Sequence, residues 1–172
     1  MDTQPKILIV DDKDANLLAL GSILAALDVE VIKAASGEEA LRHTLRHDFA
    51  LAILDVQMPS MTGYELAEFL RGDQRTKDIP IIFLSAVYND EMHEFMGYRS
   101  GGVDFITKPF NHDILLSKVR IFLELHRRAQ ELMANKRELE QLLDEHKRMN
   151  EQLTQEIEQR IKAETLLLNA KS

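Results

Sequence analysis

Between residues 6 and 106 the chain alternates between two periodicities. Short, nearly unbroken apolar runs, KILIV, VEVIKA, ALAILD, PIIFLS and VDFI, are rich in Ile, Val and Phe. Such runs fit strands buried on both faces. Between them, Asp14–Leu27, Ser36–His47, Thr62–Gly72 and Asn89–Gly101 are amphipathic stretches of helical length. Each opens near Asp, Ser, Thr or Asn, whose side chains accept from the unpaired N–H groups of a helix start. Ser36 followed by Glu39 fits a capping box. Strand–helix units repeated in this way predict an α/β fold, a parallel sheet with helices on both faces. A fifth helix is expected after Pro109 and Phe110, with Asn111 as its cap.

That last helix meets no stop signal. From Asn111 to Ser172 there is neither Pro nor Gly. Leu125, Leu132, Leu139 and Leu153 keep one seven-residue register, with His146 in the remaining place. Phe122, Ala129, Lys136, Leu143, Asn150 and Ile157 keep the other, three residues earlier in each heptad. Two interleaved registers of this kind are the a and d positions of a coiled coil. A long solvated helix packed on its own domain is the plainer reading, but it would leave this seam wet. The polar members Lys136, His146 and Asn150 weaken the seam and favour one register. After Ile157 the pattern steps by four to Ile161 and then Leu168, an insertion that locally unwinds a supercoil. Asn150 and β-branched Ile157 at a, with Leu at d, favour a parallel two-stranded homodimer.

Composition narrows the setting. The chain has 172 residues, 45 % of them apolar, and no Cys. That excludes a disulfide framework and a thiolate metal site, and fits a reducing compartment. The opening MDTQPKILIV is too short in apolar run and too poor in basic charge for a signal peptide. No stretch reaches membrane-spanning length, so the expectation is a cytoplasmic protein that does not use a membrane. Net charge is −8. Residues 1–120 hold 12 Lys+Arg against 19 Asp+Glu, which disfavours direct nucleic-acid binding by that part. Residues 121–172 are nearly balanced, at 9 against 10, as in a solvated helix.

The residues leaving the strand ends carry the chemistry. The first strand runs into Asp11 and Asp12, the third into Asp55, the fourth into Ser85, and the fifth is followed by Lys108 and Pro109. In a parallel α/β sheet these positions converge on one rim, where ligands bind. Any of these residues taken singly is a turn former, a helix cap or a surface lysine. Together they are three carboxylates, a hydroxyl and an ammonium. Clustered carboxylates repel unless a cation joins them. Hard oxygen donors near a phosphate suit Mg²⁺. Asp55 then has a reason to end a buried strand: its charge is supported there, and carboxylates form acyl phosphates.

ILIVDDKDAN, LAILDVQMPSMTGYEL, PIIFLSA and GGVDFITKPF together resemble the receiver domain of two-component response regulators, over about Pro5 to Arg120. The resemblance implies a doubly wound, flavodoxin-like sheet of order 2-1-3-4-5. It makes Asp55 the phosphoacceptor, Asp12 the direct Mg²⁺ carboxylate, Asp11 the one acting through water, and Gln57 a ligand through its backbone carbonyl. It places Ser85 and Lys108 against the phosphoryl group, and makes Ser85 and Phe105 the switch pair, Phe105 turning inward as Ser85 follows the phosphate. It implies a cis bond before Pro109. Gln57 and Val87 match positions that tune hydrolysis of the acyl phosphate. A histidine kinase or phosphotransfer protein is the implied phosphoryl donor.

The organisation expected is a receiver domain over 1–122 and a coiled-coil signalling helix over 123–172, dimerising through Leu125, Leu132, Leu139, Leu143, Asn150, Leu153 and Ile157. QEIEQRIKAETLL resembles segments preceding output domains such as diguanylate cyclases, or sensor and kinase modules. The expectation is therefore the N-terminal part of a larger regulator, or a protein whose output is the helix itself. Enzymatic activity beyond self-phosphorylation and autodephosphorylation is left open. A stand-alone receiver signalling through protein contacts is the alternative. A haloacid-dehalogenase-type phosphatase would want an Asp two residues after Asp55, where Gln57 stands. An FMN binder would want a hydroxyl-rich loop where DDKDAN lies.

Overall fold

The computed structural model describes residues 4–86 and 103–172. The helix expected over 89–101, and Val87, lie outside the described residues. Strands β1 (Lys6–Val10), β2 (Glu30–Ala34), β3 (Leu51–Asp55), β4 (Ile81–Ser85) and β5 (Val103–Thr107) form one sheet in the order β2-β1-β3-β4-β5. Every pairing is parallel. The flavodoxin-like receiver fold is the one expected. Its described helices are α1 (Asp14–Leu24), α2 (Gly37–Thr44), α3 (Gly63–Gly72) and α4 (His112–Ala170).

Strand side chains alternate between faces, and two separate cores result. Ile7, Ile9, Leu51, Ile53, Ile82 and Leu84 pack with Leu17, Leu20 and Leu24 of α1 and Leu115 and Val119 of α4. Leu8, Val10, Ala52, Leu54, Ile81 and Phe83 pack with Ala40 of α2 and Leu66, Ala67 and Leu70 of α3. Both faces of β1, β3 and β4 are thus covered, which is why those strands are apolar without a break.

Two local expectations are refined. α1 ends at Leu24 rather than Leu27, because Ala26 and Leu27 donate three residues back and tighten the last turn. α2 closes in the same manner beyond Thr44. At Ser36 only half of the capping box forms. The Glu39 N–H donates to Ser36 Oγ at 3.1 Å, but the Glu39 carboxylate accepts from Ala35 N–H. The reciprocal box is at Thr62 and Glu65, with bonds of 3.2 and 3.1 Å. Asn111 caps α4, its side chain accepting from Asp113 N–H at 2.8 Å.

The chain divides into two compact units, Met1–His126 and Arg127–Ser172. The second consists of the later turns of α4, and all its residues are exposed. The predicted seam residues Leu132, Leu139, Leu143, Leu153 and Ile157 are among them, between 49 and 71 % exposed. Asn150 is exposed as well, and so is Leu125 near the end of the first unit. No helix among the described residues is long and apolar enough to cross a membrane.

Candidate functional site

A parallel sheet delivers the C-terminal ends of its strands to one rim. Val10 is paired with Leu54, so Asp11 and Asp55 leave the sheet side by side. Ser85 ends β4, is paired with Thr107, and is buried. Asp11 is fully buried, Asp55 is 7 % exposed, and Asp12 is exposed. One carboxylate oxygen from each of the three lies within 4.8 Å of the others.

Lys108 is brought to this cluster by its own backbone. Its N–H donates to the Ser85 carbonyl at 2.8 Å, and its bond to Pro109 is cis. The Nζ reaches Asp55 Oδ1 at 2.9 Å and Asp11 Oδ2 at 3.5 Å. Burial pushes the Asp55 carboxyl above its ordinary value; the Lys108 hydrogen bond and charge pull it back, and Asp11 and Asp12 push it up again. The net direction is upward, so the ammonium does not fully offset the desolvation of this carboxylate.

Asp11 is held by other donors. Its Oδ1 accepts from Lys13 N–H at 2.9 Å, and its Oδ2 from Asn16 Nδ2 at 2.9 Å. Sequence reasoning missed Asn16, although it closes the motif DDKDAN.

The loop after β3 is pinned beneath the site. Ser60 takes a left-handed conformation, φ 67°, and the chain turns so that Gly63 N–H donates to Val56 O at 3.0 Å. A Cβ on Gly63 would lie 2.4 Å from the Asp55 carbonyl oxygen. Glycine is therefore the residue that allows α3 to start against the backbone of Asp55 and Val56. Asp11, Asp55, Gln57, Lys108 and Pro109 line one cleft of about 420 Å³. Phe105 is placed elsewhere. It stacks on Phe83 at 5.0 Å and 28°, with Tyr64 at 6.4 Å, on the α2/α3 side of the sheet.

The donor set fits a small hard cation. Three carboxylates within reach of one point, one of them fully buried, are the oxygen-rich environment Mg²⁺ accepts. The same arrangement presents a carboxylate oxygen of Asp55 to the cleft with a cation beside it. That is what an attacking carboxylate needs when the incoming group is an anion.

Residues 7–120 match the family model described as response regulator receiver domain. A probable cyclic di-GMP phosphodiesterase of Vibrio cholerae is 34 % identical over 133 residues, covering 77 % of this chain and 30 % of that protein. Response regulator PleD of Caulobacter vibrioides is 36 % identical over 115 residues, covering 67 % and 25 %. The chain thus spans about a quarter to a third of the length of these two curated relatives. Among solved structures, the chemotaxis protein CheY4 of Vibrio cholerae superposes with a TM-score of 0.64 at 30 % identity, covering 70 % of this chain and all of that one. With the rim chemistry, the sheet order and these likenesses in agreement, the chain belongs to the response regulator receiver domain family of two-component signalling.

Proposed function

We propose that this chain is a phosphorylation switch that accepts a phosphoryl group on Asp55 and passes the change along α4. The carrying observation is the Lys108 ammonium 2.9 Å from Asp55 Oδ1, inside a cluster of three carboxylates. The donor is the phosphohistidine of a histidine kinase or phosphotransfer protein. An Asp55 oxygen attacks phosphorus, the P–N bond to imidazole breaks, and the imidazole nitrogen takes a proton. Asp11, Asp12, Asp55 and the Gln57 carbonyl would hold Mg²⁺, which when bound neutralises charge on the phosphoryl oxygens. Lys108 moves from the carboxylate to the phosphoryl group, and the Ser85 hydroxyl donates to it. Phe105 adjusts its packing on Phe83 as Ser85 shifts.

The receiver function belongs to residues 1–122 and transmission to residues 123–172. The apolar heptad positions of α4 are exposed in the single chain, which favours a second copy as their partner. Two chains pair in parallel and pass on a rotation or register change without dissociating. Polar Lys136, His146 and Asn150 keep the coil marginal enough for two arrangements to lie within a few kcal/mol, as a bistable element requires. The output lies beyond the helix. A diguanylate cyclase is one class of output that the likeness of QEIEQRIKAETLL to segments preceding such domains supports; the relatives include a probable cyclic di-GMP phosphodiesterase and several transcriptional regulators. The setting is the cytoplasm.

The test uses a phosphodonor in the presence and absence of Mg²⁺. Wild type should label on a single residue, only with metal; Asp55→Asn and Asp12→Ala should not label. Labelling of Asp55→Asn to the wild-type extent would overturn the assignment. Transmission is tested with single cysteines between Gln152 and Leu168, since the chain has none of its own. Inter-chain crosslinking should shift in phase when beryllofluoride is added.

A further inference from the structure

Asp11 is a fully buried carboxylate at the start of a helix whose own cap is missing. Lys13, the N-cap of α1, makes no side-chain cap bond. The Asp11 carboxylate takes the Lys13 N–H instead, at 2.9 Å. Asn16 is the third residue of the helix. A side chain there commonly reaches back to the cap backbone, but Asn16 donates its amide to Asp11 Oδ2 at 2.9 Å. An ionised carboxylate only accepts, so the Asn16 nitrogen must face it.

Among the described residues Asp11 therefore has two neutral donors and one cation, the Lys108 ammonium at 3.5 Å from the same Oδ2 that Asn16 holds. The cation is the closer to Asp55, at 2.9 Å. The Asn16 bond to Oδ2 is made independently of Lys108.

We infer that Asn16 is a positioning residue for the metal site: it fixes the plane of the Asp11 carboxylate through Oδ2 and keeps it aimed at the cleft when Lys108 departs. Asn16 lines the same cleft as Asp55 and Lys108, and its amide bonds Asp11. Its effect is on the affinity for Mg²⁺; partners that orient metal ligands are worth about 10- to 100-fold, and the low end applies to a carboxylate that acts through water. The inference rests on the metal reading of the proposed function.

The experiment compares wild type, Asn16→Ala and the volume-conserving Asn16→Leu. Mg²⁺ is titrated while backbone amide shifts are followed by NMR, and initial labelling by acetyl phosphate is measured across the same Mg²⁺ range. Far-UV circular dichroism checks that each variant is folded. In both variants the half-saturating Mg²⁺ should rise about tenfold. Labelling at saturating Mg²⁺ should return to within about twofold of wild type, because the attacking group and Lys108 are intact. Unchanged half-saturation overturns the inference. So does a loss of labelling that saturating Mg²⁺ fails to restore, since that places Asn16 in the chemical step or in folding. If wild type itself gives no Mg²⁺-dependent shifts, the metal reading falls and this inference with it. A wild type that binds Mg²⁺ beside variants that bind it equally well removes the role of Asn16 alone.

Discussion

Lys108 and Asp55 are joined across 53 positions of sequence by a 2.9 Å ion pair, and the carboxyl of Asp55 is nevertheless pushed upward by burial. The ammonium is also engaged with Asp11 at 3.5 Å, so one cation serves two buried carboxylates. Among the described residues three carboxylates gather around this one ammonium, so both a divalent metal and the removal of a negative charge should change stability.

The sign follows from linkage. Below the ordinary value of 3.8, Asp55 is protonated in both the folded and unfolded chain. As pH rises from there, the unfolded chain loses the proton first, so the Asp55 contribution to stability falls until pH passes the raised folded value, then stays constant. Asp55→Asn should therefore melt higher than wild type at pH 7 without metal. The difference should shrink toward pH 4. Adding Mg²⁺ should raise the melting temperature of wild type and close the gap. Scanning calorimetry at several pH values measures each arm, and a variant less stable than wild type at pH 7 would contradict the charge deficit.

Gly63→Ala probes the packing beneath Asp55. The new Cβ would meet the Asp55 carbonyl oxygen at 2.4 Å, and backbone on both sides must move. A destabilisation of about 1–3 kcal/mol is expected, as for an overpacked core site. Labelling at Asp55 should slow as well, because the displaced atoms belong to the acceptor residue. Urea unfolding and a labelling time course read the two effects separately.

Thr62→Ala is the contrasting substitution one residue earlier. It removes the acceptor for Glu65 N–H and one half of the reciprocal cap on α3. Stability should fall by about 1 kcal/mol. The Thr62 hydroxyl is spent on the Glu65 N–H, so the labelling rate should match wild type. A slowed rate would mean that the start of α3 controls the acceptor more tightly than its cap geometry implies.

The exposed leucines of α4 supply the test of assembly. Leu132→Glu with Leu139→Glu places charges in successive layers of the proposed seam, where burying them unpaired is costly. Light scattering should show a dimer for wild type and a monomer for the double variant. A dimer of unchanged strength in the variant would move the interface onto the receiver.

Some of this protein is written in short-range pattern. The apolar runs of β1, β3 and β4 declare burial on both faces, because a strand alternates its side chains and only a doubly covered sheet keeps both sets dry. The absence of Pro and Gly after Asn111 declares the length of α4, since nothing in the backbone interrupts it. The strand order could be named because the motifs resembled a known family; periodicity carries no information about which strands are neighbours. That a carboxylate cluster would form was legible too, once a parallel sheet was assumed to carry every strand end to one rim.

Other features depended on the tertiary structure. Whether a capping box closes at Ser36 or at Thr62 turns on the backbone entering each helix, and the Glu39 carboxylate found a better donor in Ala35. The engagement of Lys108 with both Asp55 and Asp11 requires the β4–β5 register and the backbone bond to Ser85. Gly63 is read as essential only when the Asp55 carbonyl is seen lying where its side chain would be. Asn16 is one polar residue among several in an amphipathic helix until Asp11 is seen buried against it. Hydrophobic periodicity is a property of neighbours along the chain and survives in the sequence. Hydrogen bonds between distant side chains are decided by register and crossover, which exist only once the chain has folded.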